Sequence, residues 1–302
     1  MLNFKDGVLL TLNCSKWSGA KKLEPSDLGL SPEDIPDFMR LGKKLLIPEN
    51  ERNSFTQVEN NARNYLERWS FPFPVGQARF VPRAKLLDTV AHLEQYKALF
   101  QSTVLSFLDR YEQIKREMLQ NYPLYADKLE PYYPARNIVE RKFSFNWAVF
   151  EISDTSMSET TSQEVIDAYQ HFKQELQEKF NSFLEDVVID MRATVSESCE
   201  NLSRRILNGE LVTANTLRSV KETIEHFQEL NFIGDRSIDA QLSELRKHMN
   251  GHDPKEIARD LRDNETLRRE LGNIAHEIAK KASNLNDVSE VTGQYKRSLD
   301  LS

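Results

Sequence analysis

The sequence predicts an α+β protein, mainly α: a small N-terminal β-containing module, a long antiparallel helical hairpin and a C-terminal helical bundle. Three stretches carry that expectation. The first, Val165 to Ile206, runs for more than forty residues without glycine or proline. Its apolar positions Val165, Tyr169, Phe172, Leu176, Phe180, Phe183, Val187, Met191, Val195, Cys199, Leu202 and Ile206 recur every three or four residues, which makes one stripe on one helix. At 1.5 Å per residue that helix is roughly 60 Å long, so its stripe needs a partner. The second stretch places Leu86, Val90, Leu93, Lys97, Phe100, Val104, Phe107, Tyr111, Ile114 and Met118 at steps alternating between four and three, a heptad seam with one polar member. The third, Lys142 to Ile152, alternates instead, putting Phe143, Phe145, Trp147 and Val149 on one face of a strand.

The remaining elements follow in order. Gly7–Cys14 is an apolar run bounded by Gly7 and Ser15 and reads as a buried strand. Residues 16–23 read as a basic turn, and Ser31-Pro32-Glu33-Asp34 opens a short helix. Residues 42–47 form a second short strand stopped by Pro48, and 50–68 a helix with Phe55, Val58, Ala62, Tyr65 and Leu66 on one face. Pro72 and Pro74 exclude a helix over 71–76, Gln77–Val81 reads as a third short strand, and the seam helix covers about 84–120. An aromatic, proline-rich turn region follows, and a Ser/Thr-rich loop from Asp154 to Ser162 supplies a cap for the long helix at Thr161 or Ser162.

Asn208-Gly209 ends that helix. Three helices are expected beyond it, at about 213–231, 236–249 and 254–285, the last broken near Asp263-Asn264, and the final fifteen residues are expected to fray. The two long stripes are expected to cover each other, although the 165–206 period is the longer of the two. The chain would then divide at 1–82, 83–210 (with the aromatic strand 143–152 inserted) and 211–302.

Charge narrows the function classes. The chain of 302 residues has a net charge of −7: residues 1–160 carry 21 basic and 21 acidic groups, residues 161–302 carry 19 and 26. A uniformly cationic nucleic-acid binder is disfavoured. Cys14 and Cys199 lack metal-type spacing and read as buried free thiols. No signal peptide or membrane span is expected, which points to a reducing cytoplasm. Gly19-Ala20-Lys21-Lys22 and Gly42-Lys43-Lys44 lack the glycine spacing of a phosphate loop. His248 and His252 are four apart but separated by Gly251, so no metal site is expected there. No nucleophile, carboxylate pair or cofactor motif stands out, and the expectation is a non-enzyme without metal or cofactor. The basic elements Lys16, Trp17, Lys21, Lys22, Lys43 and Lys44 are the candidate nucleic-acid contacts, since lysines interleaved with an aromatic can hold single strands by phosphate contact and stacking. The alternative is that Trp17 packs in the core while the lysines stay in water. The candidate packing and protein-interaction positions are Leu86, Val90, Leu93, Phe100, Val104, Phe107, Phe172, Leu176, Phe180, Phe183, Val187 and Met191.

The pattern Lys16-Trp17-Ser18-Gly19-Ala20-Lys21-Lys22-Leu23, then Ser26-Asp27-Leu28-Gly29, then Leu41-Gly42-Lys43-Lys44 resembles a domain-of-unknown-function family of bacteriophages, plasmids and integrative elements. The resemblance covers roughly residues 8–120. It implies a gene neighbourhood with a MoxR-like AAA+ ATPase and a von Willebrand factor A-type protein, and it assigns no catalytic residue. The resulting expectation is a scaffold or adaptor working through helical protein contacts, with an AAA+ ATPase as the partner the resemblance implies and homo-oligomerisation open. The alternative is a single-stranded nucleic-acid-binding accessory protein of phage replication or recombination. A membrane-active protein is a distant third.

Overall fold

The structure, a computed structural model, describes residues 6–151, 163–249 and 253–300, without the side chains of 163–169, 172 and 298–300. The expected Asp154–Ser162 loop with its cap, His252, and the side chains of Val165, Tyr169 and Phe172 therefore lie outside the described residues. The elements are β1 (Gly7–Ser15), β2 (Ala20–Lys22), β3 (Lys43–Leu45), α1 (Glu49–Arg68), β4 (Phe71–Pro72), β5 (Arg79–Pro82), α2 (Arg83–Asn121), α3 (Ala126–Leu129), α4 (Arg136–Glu140), β6 (Ser144–Phe150) and α5 (Gln163–Leu207). After these come α6 (Ala214–Leu230), α7 (Arg236–Met249), α8 (Pro254–Asp263), α9 (Glu265–Ala282) and α10 (Val288–Asp300). The protein is thus α+β and mainly α, with a small N-terminal sheet.

These elements form two units, each from separate stretches of chain: residues 1–9, 69–86 and 150–302 in one, 10–68 and 87–149 in the other. The linear division expected at 82 and 210 does not follow these boundaries, because they are set by contacts between residues far apart in sequence.

The first unit is organised around α5. Its stripe is buried from Phe180 through Phe183, Val187, Met191, Val195, Cys199 and Leu202 to Ile206, with Leu176 half-buried. The helix that runs along it is α9, with α6 and α10 also packed on it. Ile206 meets Gly272, while Ser196 Oγ donates to the Ala279 carbonyl at 3.2 Å, so α5 and α9 are antiparallel. The expectation that the 86–118 seam covers this stripe is thereby corrected: helices later in the chain, within the same unit, cover it. Gly272 makes this approach possible, since a Cβ there would lie 2.5 Å from Ile206 Cγ2.

Caps set the helix boundaries. The Thr213 side chain accepts from Thr216 N, Asp253 from Lys255 N ahead of Pro254, and Asn264 from Leu267 N, which separates α8 from α9. The expected fraying of the last fifteen residues is also corrected: α10 buries Val288 and Tyr295, and the Tyr295 hydroxyl donates to Asp6 at 2.9 Å. Val288, Thr292 and Tyr295 share one helix face, so the polar average of the segment hid its amphipathicity. Phe71, Phe73 and Phe80, from the β4–β5 hairpin, pack on Phe183 and Phe232.

In the second unit the seam of α2 forms its own core. Leu93, Phe100, Val104, Phe107, Tyr111 and Ile114 are buried, whereas Val90 and Met118 are half-buried. Leu86, also half-buried, falls in the first unit. Phe107 meets Phe55 of α1 at 5.3 Å, and Phe100 meets Phe145 of β6 at 5.6 Å. Lys97, the polar member of the seam, lies over the Trp147 ring at 5.1 Å. β6 is less buried than its alternation implies: Phe145 is in the core and Trp147 half-covered, but Val149 and Phe150 are exposed.

Candidate functional site

Residues 16–23 were expected as a turn, and the local structure shows what each does. Trp17 is buried against Tyr111 and Phe107, at 5.8 and 6.2 Å. Gly19 sits at φ +56°, where L side chains are rare, and a Cβ on it would overlap Ile47 Cγ1 at 2.4 Å. The Gly19 carbonyl accepts from Leu46 N at 2.7 Å, which starts a two-stranded antiparallel ribbon. In that ribbon β2 and β3 pair Ala20 with Leu45, Lys21 with Lys44 and Lys22 with Lys43. Two lysine pairs therefore face each other at consecutive registers, an arrangement that costs stability.

The six candidate nucleic-acid residues divide by environment. Lys16 Nζ donates to Glu59 at 2.7 Å and Thr56 at 3.1 Å on α1, and Trp17 belongs to the core. Burial disfavours ionisation of Glu59, yet hydrogen bonds from Lys16 and Arg63 hold its pKa below the ordinary value. Lys44 is also spoken for: its Nζ lies 2.7 Å from both Asp27 oxygens and 3.5 Å from the Tyr132 ring centroid, and its side chain is 7% exposed. Burial works against its charge, but hydrogen bonding to Asp27 and Tyr132 raises its pKa. Asp27 is held below its ordinary value, chiefly by the Lys44 hydrogen bond and then by the Glu24 amide, which donates to it at 2.8 Å. Lys21, Lys22 and Lys43 remain exposed, and among the described residues no ion pair engages them.

The ribbon forms one wall of a groove of about 520 Å³. Leu23, Lys44 and Leu45 come from the ribbon, Leu28 from the short 3₁₀ turn Pro25–Leu28, and Met118, Tyr122, Tyr125 and Leu129 from the end of α2 and the turns beyond it. The charges inside are mostly satisfied: Lys44 pairs with Asp27, and Lys128 Nζ donates to the Ser26 and Asp27 carbonyls at 3.3 Å each. Glu49 lies in the first turn of α1, where the helix N-terminus favours a carboxylate. What the groove presents is mainly apolar. Leu28, Leu45, Tyr122 and Tyr125 are all exposed, and in the same unit so are Phe38 at 87% and Leu124 at 89%. Sequence reasoning missed this groove, since its lining comes from three separated stretches. The available signal was large apolar residues in polar, proline-rich connections.

Among the described residues, other candidate chemistry forms no constellation. Burial pushes the Cys199 thiol up to about 12 and the Cys14 thiol up to about 11, the opposite of an activated nucleophile. His92 stacks on Tyr65 at 4.2 Å, and His248 lies 3.6 Å from Glu244. Among the described residues no group of three or more His, Cys, Asp or Glu could hold a metal ion, and no helix is long and apolar enough to cross a membrane. The most elaborate polar site is structural and was not legible beforehand. Arg192, fully buried on α5, donates to Asp235 at 2.7 Å, to the Asn284 carbonyl at 2.9 Å and to both oxygens of Asp287.

The fold is thus that of a mainly helical α+β protein whose second unit carries an apolar groove walled by a lysine ribbon. The chain belongs to a protein family of unknown function (DUF3150), whose model matches residues 4–254, well beyond the 8–120 over which the resemblance was read. No curated protein and no solved structure gives a significant match.

Proposed function

We propose that this chain is a non-enzymatic scaffold or adaptor of a phage or mobile element, working in the cytoplasm through protein contacts made largely by its helical elements. The observation that supports this most is the apolar groove of the second unit, together with the exposed Leu124 and Phe38. Large apolar side chains held in water are a feature of interaction surfaces. Among the described residues, the α5 stripe from Leu176 to Ile206 and the α2 seam from Leu93 to Ile114 are packed within their own units, which shifts the expected docking surface to this groove. The partner favoured by the family resemblance is an AAA+ ATPase encoded nearby. Co-purification of the two tagged proteins with ADP and with a non-hydrolysable ATP analogue tests this. Retention in one nucleotide state supports the reading, and failure in both counts against that partner.

A second reading has its own support in Lys21, Lys22 and Lys43, which are exposed and have no ion-pair partner among the described residues. These could engage phosphates of single-stranded nucleic acid, although buried Trp17 would not stack on bases. Fluorescence anisotropy with single-stranded DNA at two salt concentrations decides it: phosphate contact requires affinity that falls steeply with salt. Absence of binding at low salt removes this reading.

A further inference from the structure

We infer that the groove beside the β2–β3 ribbon is a docking site for a short acidic peptide segment of a partner protein, with apolar anchors in the groove and carboxylates on Lys21, Lys22 and Lys43. This deepens, and rests on, the adaptor reading. Three observations at the groove and on the ribbon beside it converge. The groove is bordered by exposed Leu28, Leu45 and Tyr125, which supply burial energy to an incoming apolar side chain. Its own charged groups are largely used up, Lys44 by Asp27 and Lys128 by backbone carbonyls, so a ligand gains little from them. The ribbon that forms the wall carries three exposed lysines with no ion-pair partner among the described residues: Lys21 lies across from Lys44 on one face, and Lys43, two residues from Leu45, lies across from Lys22 on the other.

Charge complementarity selects the occupant. A neutral apolar segment would fill the groove and leave the lysines idle, while a nucleic acid would meet the lysines and leave the apolar groove empty. An acidic segment with apolar anchors uses both. The opposed pairs Lys21–Lys44 and Lys22–Lys43 strengthen the case. Asp27 relieves the first pair from within the protein, and nothing described relieves the second. Carboxylates arriving at the ribbon would remove that repulsion on binding, which makes the lysines worth more in the complex than in the free protein.

The probe is a fluorescein-labelled peptide of about 14 residues, with Leu at i, i+3, i+4 and i+7 and Glu on the remaining positions. It is titrated into the full chain and followed by anisotropy. Saturable binding is expected, weakened about tenfold or more by Leu28→Glu or Tyr125→Glu, both exposed positions whose change leaves the fold intact by circular dichroism. The triple change Lys21→Gln, Lys22→Gln, Lys43→Gln should weaken binding severalfold and flatten its salt dependence. Peptides with Leu replaced by Ser, or Glu by Lys, should not bind. The proposal is overturned if the acidic peptide does not bind, or if its binding ignores the Leu28 and Tyr125 variants. It is also overturned if a thymidine oligonucleotide binds through the lysines and the peptide does not, or if the titration reports only association of the chain with itself. Co-purification of the ATPase unaffected by Leu28→Glu would keep the adaptor reading and remove this groove from it.

Discussion

Arg192 offers the most demanding test of how the first unit is held together. The substitution Arg192→Met keeps much of the side-chain length and apolar stem but deletes a guanidinium that is fully buried. It leaves Asp235, whose side chain is 4% exposed, without its strongest partner, and strands the Asn284 carbonyl. Breaking a buried pair by removing one partner costs about 3–5 kcal/mol. Two features place the expected cost near the lower end. Asp287 is 38% exposed and can return to water, and Asp235 keeps the Ser237 hydroxyl at 3.0 Å and the Ile238 amide at 3.3 Å. The working value is therefore about 3 kcal/mol.

Urea unfolding followed by far-UV circular dichroism measures the change as a shift in midpoint at constant slope. Adding Asp235→Asn, which retains a capping side chain for α7, should recover part of the loss as a coupling of about 1–3 kcal/mol. Acidity supplies an independent check. The Arg192 hydrogen bonds hold the Asp287 pKa below its ordinary 3.8. A depressed carboxylate contributes stability that is full above its unfolded pKa and is lost as pH falls through the folded one. The gap between parent and Arg192→Met should therefore be widest near neutrality and narrow below about pH 4. An Arg192→Met protein within about 0.5 kcal/mol of the parent at pH 7 would refute the reasoning, since a buried network cannot be removed so cheaply.

Three further outcomes follow from the same structure. Gly272→Ala should destabilise by about 1–3 kcal/mol, because the added Cβ meets Ile206 Cγ2 at 2.5 Å; combining it with Ile206→Ala should cost less than the two single losses together, and strict additivity would deny the contact. Lys22→Thr removes one of two opposed lysines and should stabilise by about 0.2–1 kcal/mol at low salt, with the gain shrinking as salt is added; a loss of stability in thermal melts would contradict the pairing. With their thiols raised to about 11 and about 12, Cys14 and Cys199 should react with a disulfide reagent at pH 8 far more slowly in the native chain than in denaturant; fast native labelling of Cys199 would place it outside the core.

The sequence carried the elements better than their partners. Helical periodicity located α1, α2, α5, α6 and α7, and the break expected near Asp263-Asn264 is a real boundary, capped by Asn264. Periodicity states that a stripe is buried without naming what buries it. The α5 stripe therefore lent itself to pairing with the α2 seam, when Gly272 had already prepared α9 for close approach. The glycine was visible, but its meaning depended on Ile206, sixty-six positions earlier in the chain. Arg192 was hidden for a related reason. On a helix it looks like any solvated arginine, and its partners lie in two loops joined to it only by the fold. At the candidate site, the Trp17-Ser18-Gly19 turn was legible as a unit while its roles were not. Trp17 fills the core, Gly19 meets Ile47, and the lysines after it were separable into satisfied and unsatisfied groups only once Asp27 and Glu59 were placed.

The central claim is that the second unit docks a partner through its groove. Site-specific photo-crosslinking tests it most directly, with a benzophenone side chain placed at Tyr122 or Tyr125, which line the groove, and, as a control, at exposed Leu211 in the other unit. With the AAA+ ATPase proposed as partner co-expressed, the account predicts a crosslinked band from positions 122 and 125, lost when Leu28→Glu is added, and none from position 211. Crosslinking from position 211 with none from the groove would contradict it.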